Sequence, residues 1–333
     1  MTRHDHLLHT TLSRRTLAGG IALAATMRPL ARTSARQATP ATPPGWLAGP
    51  ALPAARSELP ATVLDGLIYI AGGFGTETRF SRFDPVAETW EDLAELPAPR
   101  HHLGLTSLDG AIYIVGGHDL ENVGADTFWR YDPAADVWED GPSLPQGPRG
   151  ALGCAALDGA IYAVGGAIAL GAEANGDVTR YDPSADAWET LPPLTIPREH
   201  LAVAASTTGI HAIGGRSSID VPPELAGAHE RFDPATGVWE ARAALPVPRS
   251  GMGVASDGER IIVLGGEGER GLYADANAYD PDTDTWTALP DLPGGRHGVA
   301  AAIVADRLYA IGGSTLAWSV QNVPGVDVLD LAD

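Results

Sequence analysis

The 333-residue sequence contains no lysine and a single cysteine, Cys154. Without lysine there is no lysine Schiff base and no P-loop lysine. One cysteine excludes an internal disulfide framework and any cysteine-rich zinc or iron–sulfur site. Basic charge is scarce as well. Twenty-two arginines stand against 42 acidic residues, a formal net charge of −20. Phosphates and anionic headgroups would be repelled, so nucleic acid is excluded as a partner. Hydrophobic residues reach 44% and charged residues only 19%, so the chain can bury a large core. Length alone suggests about two domains, although all-β rings and barrels often run this long as one.

The basic charge is unevenly placed. Residues 1–44 carry a net charge of +5, and the chain from Gly45 onward carries −25. Ser13-Arg14-Arg15-Thr16-Leu17 opens a weakly apolar run that ends at Met27. At about 11 residues this run is too short to span a bilayer, and no membrane span is expected. Arginines on both sides and the small residues Thr33-Ser34-Ala35 match a twin-arginine signal peptide over residues 1–35. Cleavage is expected between Ala35 and Ala38, and residues 36–44 read as a Pro/Thr-rich linker. The mature domain, residues 45–333, is then exported to the periplasm or beyond.

That domain is one motif written six times. Gly-Gly pairs begin at 72, 116, 165, 214, 265 and 312. An arginine stands 16 positions before each: Arg56, Arg100, Arg149, Arg198, Arg249 and Arg296. Phe83, Tyr131, Tyr181, Phe232 and Tyr279 each precede Asp-Pro, and each precedes a tryptophan by seven positions. Within a repeat, two short apolar runs flank a turn such as Asp109-Gly110, the signature of a β-hairpin. A third strand ends at the aromatic and a fourth carries the tryptophan. Four antiparallel strands per repeat, arranged radially, predict an all-β propeller.

Gly-Gly, Tyr/Phe and Trp at these offsets, with the Asp-Gly turn and Pro-Arg, resemble the kelch repeat from residue 46 to about 331. The resemblance implies a six-bladed β-propeller. Repeat six lacks a tryptophan, and Trp46 precedes Arg56 by ten positions as Trp90 precedes Arg100. The N-terminal strand around Trp46 is therefore expected to complete the last blade and remove the open sheet edge. A monomer is expected.

The connections before the arginine and after Gly-Gly share one face. The loops after Gly-Gly vary in length, whereas the opposite turns are uniformly tight, so binding is expected on the loop face. The register places Glu58, His101, His102, His118, His200, Arg216, Glu267 and His297 at the channel mouth on that face. Phe74, Trp129, Tyr273 and Trp318 lie in or beside its loops and could stack on a ligand. Repeated six times, the arginine reads as structural, and Cys154 reads as core. No linear spacing marks a metal site, so no metal and no cofactor are expected, and catalytic residues are not identifiable. The cysteine's position and the blade count also depart from the galactose-oxidase-like kelch copper enzymes.

The resulting expectation is an exported propeller that binds a protein or glycan. The alternative, drawn from resemblance to sialic-acid mutarotases, is a cofactor-independent sugar isomerase using the mouth arginine, carboxylates and histidines.

Overall fold

The computed structural model describes residues 45–217 and 227–332. The signal-peptide and linker segments expected at 1–44 lie outside these residues. Six four-stranded antiparallel sheets make a propeller ring. Among the described residues no helix is long and apolar enough to cross a membrane.

Blade two shows the pattern, with strands β1 (Gly104–Leu108), β2 (Ala111–Val115), β3 (Phe128–Asp132) and β4 (Val137–Asp140) from the channel outward. The turn between β1 and β2 takes positive φ at both Asp109 (49°) and Gly110 (78°), which matches the twist of a two-residue hairpin. At the opposite hairpin, Asp132 Oδ1 accepts the amides of Ala134 and Ala135, so the aspartate of Asp-Pro holds its own turn.

Blade six is assembled from both chain ends. Its order from the rim is Trp46–Ala48, Val326–Asp330, Arg307–Ile311 and Ala300–Val304, with Trp46 opposite Leu329. In the other blades the tryptophan faces the conserved-register aromatic in the same way, as Trp138 faces Tyr131. The Trp46 indole donates to Pro290 O at 2.8 Å, just as Trp90 donates to Pro50 O of the preceding blade.

The Gly-Gly and arginine registers also meet between blades. The second glycine of each pair donates its N–H to the arginine carbonyl of the next blade: Gly73 to Arg100, Gly117 to Arg149, and so on to Gly313 and Arg56. A Cβ on Gly72 would stand 2.2 Å from Arg100 O, so only glycine permits this approach. Between each pair of neighbouring blades lies one apolar cluster. Ile112, Ile114 and Trp129 of blade two, for example, pack on Tyr69, Ala71 and Phe80 of blade one. Each fully buried Ile or Leu contributes about 1.5–3 kcal/mol to this packing.

The repeated arginine is structural in five blades, where it donates to carbonyls of its own blade and reaches a side chain two positions before the third-strand aromatic, or before Leu329 in blade six. These partners are Ser81, Thr179, Glu230, Asn277 and Asp327. Blade two carries Trp129 at that position, so Arg100 lies over the indole instead, 5.2 Å from the ring centroid. Cys154 departs from its expected place. It packs beside the blade-two/blade-three core, but its side chain also lines the central channel and is partly exposed there. Burial raises the thiol pKa well above the usual range.

Candidate functional site

In every blade the residue after the arginine pairs with the residue after Gly-Gly, 17 positions later. The pairs are Ser57 with Phe74, His101 with His118, Gly150 with Ala167, Glu199 with Arg216, Ser250 with Glu267 and His297 with Ser314. The residue two after the arginine turns inward with positive φ: Glu58, His102, Ala151, His200, Gly251 and Gly298. These six residues form a closed ring of backbone hydrogen bonds. Each amide donates to the neighbouring blade's carbonyl at 2.8–3.2 Å, from His102 to Glu58 round to Glu58 to Gly298. Left-handed backbone is costly at four non-glycine positions, and the ring's mutual bonds offset that cost. His102 and His200, from blades two and four, bring their rings to 4.7 Å across the axis and plug the channel. Beyond the plug runs a cavity of 770 Å³, walled by the six innermost strands. The channel-facing edges of these strands have no partner strand, which makes an apolar-sided channel partly polar.

The ring gathers the eight mouth residues into one cluster. All are nearly or fully buried, with His118 at 0% and Arg216 at 7% exposure. His297 Nδ1 faces Glu58 Oε1 at 2.9 Å, and its Nε2 faces the carbonyls of Leu316 and Ser319 at 3.1 Å each. Acceptors on both sides require a doubly protonated ring. Burial works against that charge, but the hydrogen bond and the charges of Glu58 and Glu267 outweigh it and raise the His297 pKa to about 9. Burial would likewise raise Glu58, but His102 and His297 hold its carboxyl well below the usual range. Arg216 donates to Glu199 Oε1 at 2.6 Å and to Glu267 Oε1 at 3.1 Å. The other oxygen of Glu267 accepts the Trp318 amide at 2.8 Å, and the Trp318 ring covers the Arg216 guanidinium. Burial is the largest cause that pushes His101, His102 and His118 below the usual imidazole value, His118 to about 4.

Glu199, which is not among the residues singled out from the sequence, also belongs to this cluster. The constant 17-residue offset to Arg216 is the signal that finds it. The four loop aromatics divide. Phe74 stacks on His101, with centroids 4.1 Å apart, and Trp318 is 51% exposed over the mouth. Trp129 is buried beneath Arg100, and Tyr273 is buried under Arg270. Neither of these two presents a free ring to a ligand.

The remaining two histidines of the propeller form a separate buried chain inside blade four. Ser206 Oγ lies 2.9 Å from His211 Nε2, and His211 Nδ1 lies 2.9 Å from His229 Nε2. His229 Nδ1 donates to Ala243 O at 3.1 Å. The pair stands where blade one stacks Tyr69 on Phe80. Two metal-competent groupings also exist, His101 with His102 and His118, and Glu58 with His102 and His200.

On the outer surface of the loop face several large apolar side chains are exposed. Leu120 and Val123 of blade two stand beside Ile168 and Leu170 of blade three, and Leu316, Trp318 and Val320 project from blade six. The first two loops are joined by hydrogen bonds from Gly124 N to Ile168 O and from Leu170 N to Asn122 O.

The fold is thus a kelch propeller with a plugged, charge-lined mouth beneath an apolar rim. The Kelch motif profile matches residues 55–97, 99–145, 148–195 and 248–293, and the chain belongs to the kelch-repeat family. A search of curated proteins returns no match. Among solved structures, a structure of YjhT is similar, with a TM-score of 0.73 at 17% identity, covering 86% of this chain and 97% of that one. At that identity the likeness shows the fold alone.

Proposed function

We propose that this is an exported kelch propeller that binds a protein partner through its loop face. The observation that carries the reading is the exposed apolar patch of Leu120, Val123, Ile168 and Leu170 on the joined loops of blades two and three, with a second set, Leu316, Trp318 and Val320, on the blade-six loop of the same face. Exposed aliphatic side chains on paired loops suit an apolar protein segment, whereas a sugar is gripped by free aromatic rings and unpaired polar groups. Glu121 and Glu173 stand exposed among these loops, and the domain is strongly acidic, so the partner segment is basic at its edges. The buried charges serve to hold the loops: Glu267 and His297 bind the backbone of the blade-six loop. Export rests on Arg14-Arg15 and the apolar run behind them.

The sugar-isomerase reading needs Arg216 and its carboxylates free for substrate, and they are bonded to one another. The test pairs a displayed-peptide selection with a sialic-acid anomer assay on the full chain. Selection of apolar, basic-flanked peptides without anomer interconversion supports the binding reading. Interconversion abolished by Arg216→Ala overturns it.

A further inference from the structure

The grouping of His101, His102 and His118 is not explained by hydrogen bonding among its members. His101 Nε2 lies 2.9 Å from Asp119 O, and His118 Nε2 lies 3.4 Å from Ala167 O. A carbonyl only accepts, so both nitrogens carry protons and both Nδ1 atoms hold lone pairs. His118 Nδ1 is buried with no hydrogen-bond partner, in a residue that is 0% exposed. His102 faces a conflict. Its Nε2 lies 3.3 Å from a Glu58 oxygen and its Nδ1 lies 2.5 Å from His101 Nδ1. A proton on Nε2 satisfies the carboxylate and leaves two lone pairs opposed at the Nδ1 contact. A proton on Nδ1 leaves a lone pair against the carboxylate. A cation held among the three rings, each of which offers a nitrogen within 4.8 Å of the others, resolves both problems at once.

The surroundings are built for these rings. Gly150 makes room for His118, since a Cβ there would stand 2.6 Å from the imidazole. Phe74 stacks on His101 and fixes its plane. The Asp119 and Ala167 carbonyls and the Glu58 carboxylate occupy the outer nitrogens, the arrangement that orients histidine ligands around a metal. His102 also lines the channel cavity, which supplies a route of entry. The second grouping is spent: Glu58 answers His297 and His102, and His200 lies between Glu199 and the Arg216 guanidinium.

We propose that His101, His102 and His118 form a tri-histidine site for a divalent transition-metal ion of the zinc class. Three imidazoles suit such an ion and leave a fourth position open toward the channel. Ligand nitrogens around zinc sit roughly 3.3 Å apart, so the His101–His102 contact opens by somewhat less than an ångström on binding.

The full chain is stripped with chelator, titrated with Zn²⁺ against a chromophoric competitor, and examined with Co²⁺ by visible absorption. One equivalent should bind, Co²⁺ should give nitrogen-ligated tetrahedral bands, and the His4→Ala/His6→Ala/His9→Ala variant should behave identically. His118→Ala should weaken binding at least about 100-fold while retaining its circular dichroism spectrum. Should that variant fail to fold, His101→Asn is measured in its place against the same criterion. Less than one equivalent on the stripped protein overturns the proposal, as do binding unchanged in a folded His118 or His101 variant and binding lost with His4, His6 and His9.

Discussion

His297, the residue after the arginine of blade six, donates through Nδ1 to Glu58 of blade one at 2.9 Å. The two residues are 239 positions apart, and their bond lies across the join where the ring closes. The same seam is held by the Gly313 amide on Arg56 O and by the strand carrying Trp46. His297→Gln removes the positive partner from a buried carboxylate and should cost about 3–5 kcal/mol in chemical denaturation. The His297 pKa is raised in the folded state to about 9. Its contribution is therefore fully present below the unfolded value near 6.5 and is lost as pH rises through 9. Denaturation between pH 6.5 and 10 should show this decline in the wild type and not in His297→Gln.

The His211–His229 pair behaves in the opposite sense. Burial pushes His211 to about 3 and His229 to about 4. The unfolded chain takes up protons at these sites below pH 6.5 while the folded chain does not, so stability falls as pH drops from 6.5 toward 4. His211→Tyr with His229→Phe restores the ring pair of blade one. The double variant should lose that part of the acid sensitivity, read as a flatter dependence of stability on pH between 4 and 6.5.

Two arginines that look identical in the sequence should differ in weight. Arg198 is buried and donates to the buried Glu230 carboxylate at 2.7 Å. Arg198→Met strands that charge and should cost about 3–5 kcal/mol. Arg100, half-buried over Trp129, should cost about 1 kcal/mol or less on the same change. Parallel denaturation of the two variants makes the comparison.

The contrast shows what the sequence discloses and what it hides. The Gly-Gly, arginine and tryptophan registers are legible because each answers a backbone requirement that recurs six times. Closure through Trp46 follows from the same count. Trp129 reads as a binding aromatic until its register is compared with Ser81, Thr179, Glu230, Asn277 and Asp327, where it replaces the arginine's polar partner. The left-handed ring is not legible. Glu58 and Ala151 have no intrinsic preference for positive φ, and histidine tolerates it without requiring it, so closure of the six-membered ring is what imposes it at Glu58, His102, Ala151 and His200. For the same reason the mouth histidines, which the register places on an open rim, fold inward as a buried plug.

Cys154 should behave as an accessible but unreactive thiol. It meets the channel, yet burial holds its pKa far above neutrality. Alkylation by iodoacetamide at pH 7 should run well below the rate of a free thiol and rise toward alkaline pH.

The central claim is that partners dock on the loop face. Its most direct test is the affinity of a selected basic, apolar peptide for wild type, Ile168→Ser and Val86→Ser. Ile168 is 60% exposed on the loop face, and Val86 is 95% exposed at an Asp-Pro turn on the opposite face. Binding should weaken by about tenfold or more, about 1.4 kcal/mol, in Ile168→Ser and stay unchanged in Val86→Ser. Equal affinity for all three proteins, or a loss confined to Val86→Ser, would contradict it.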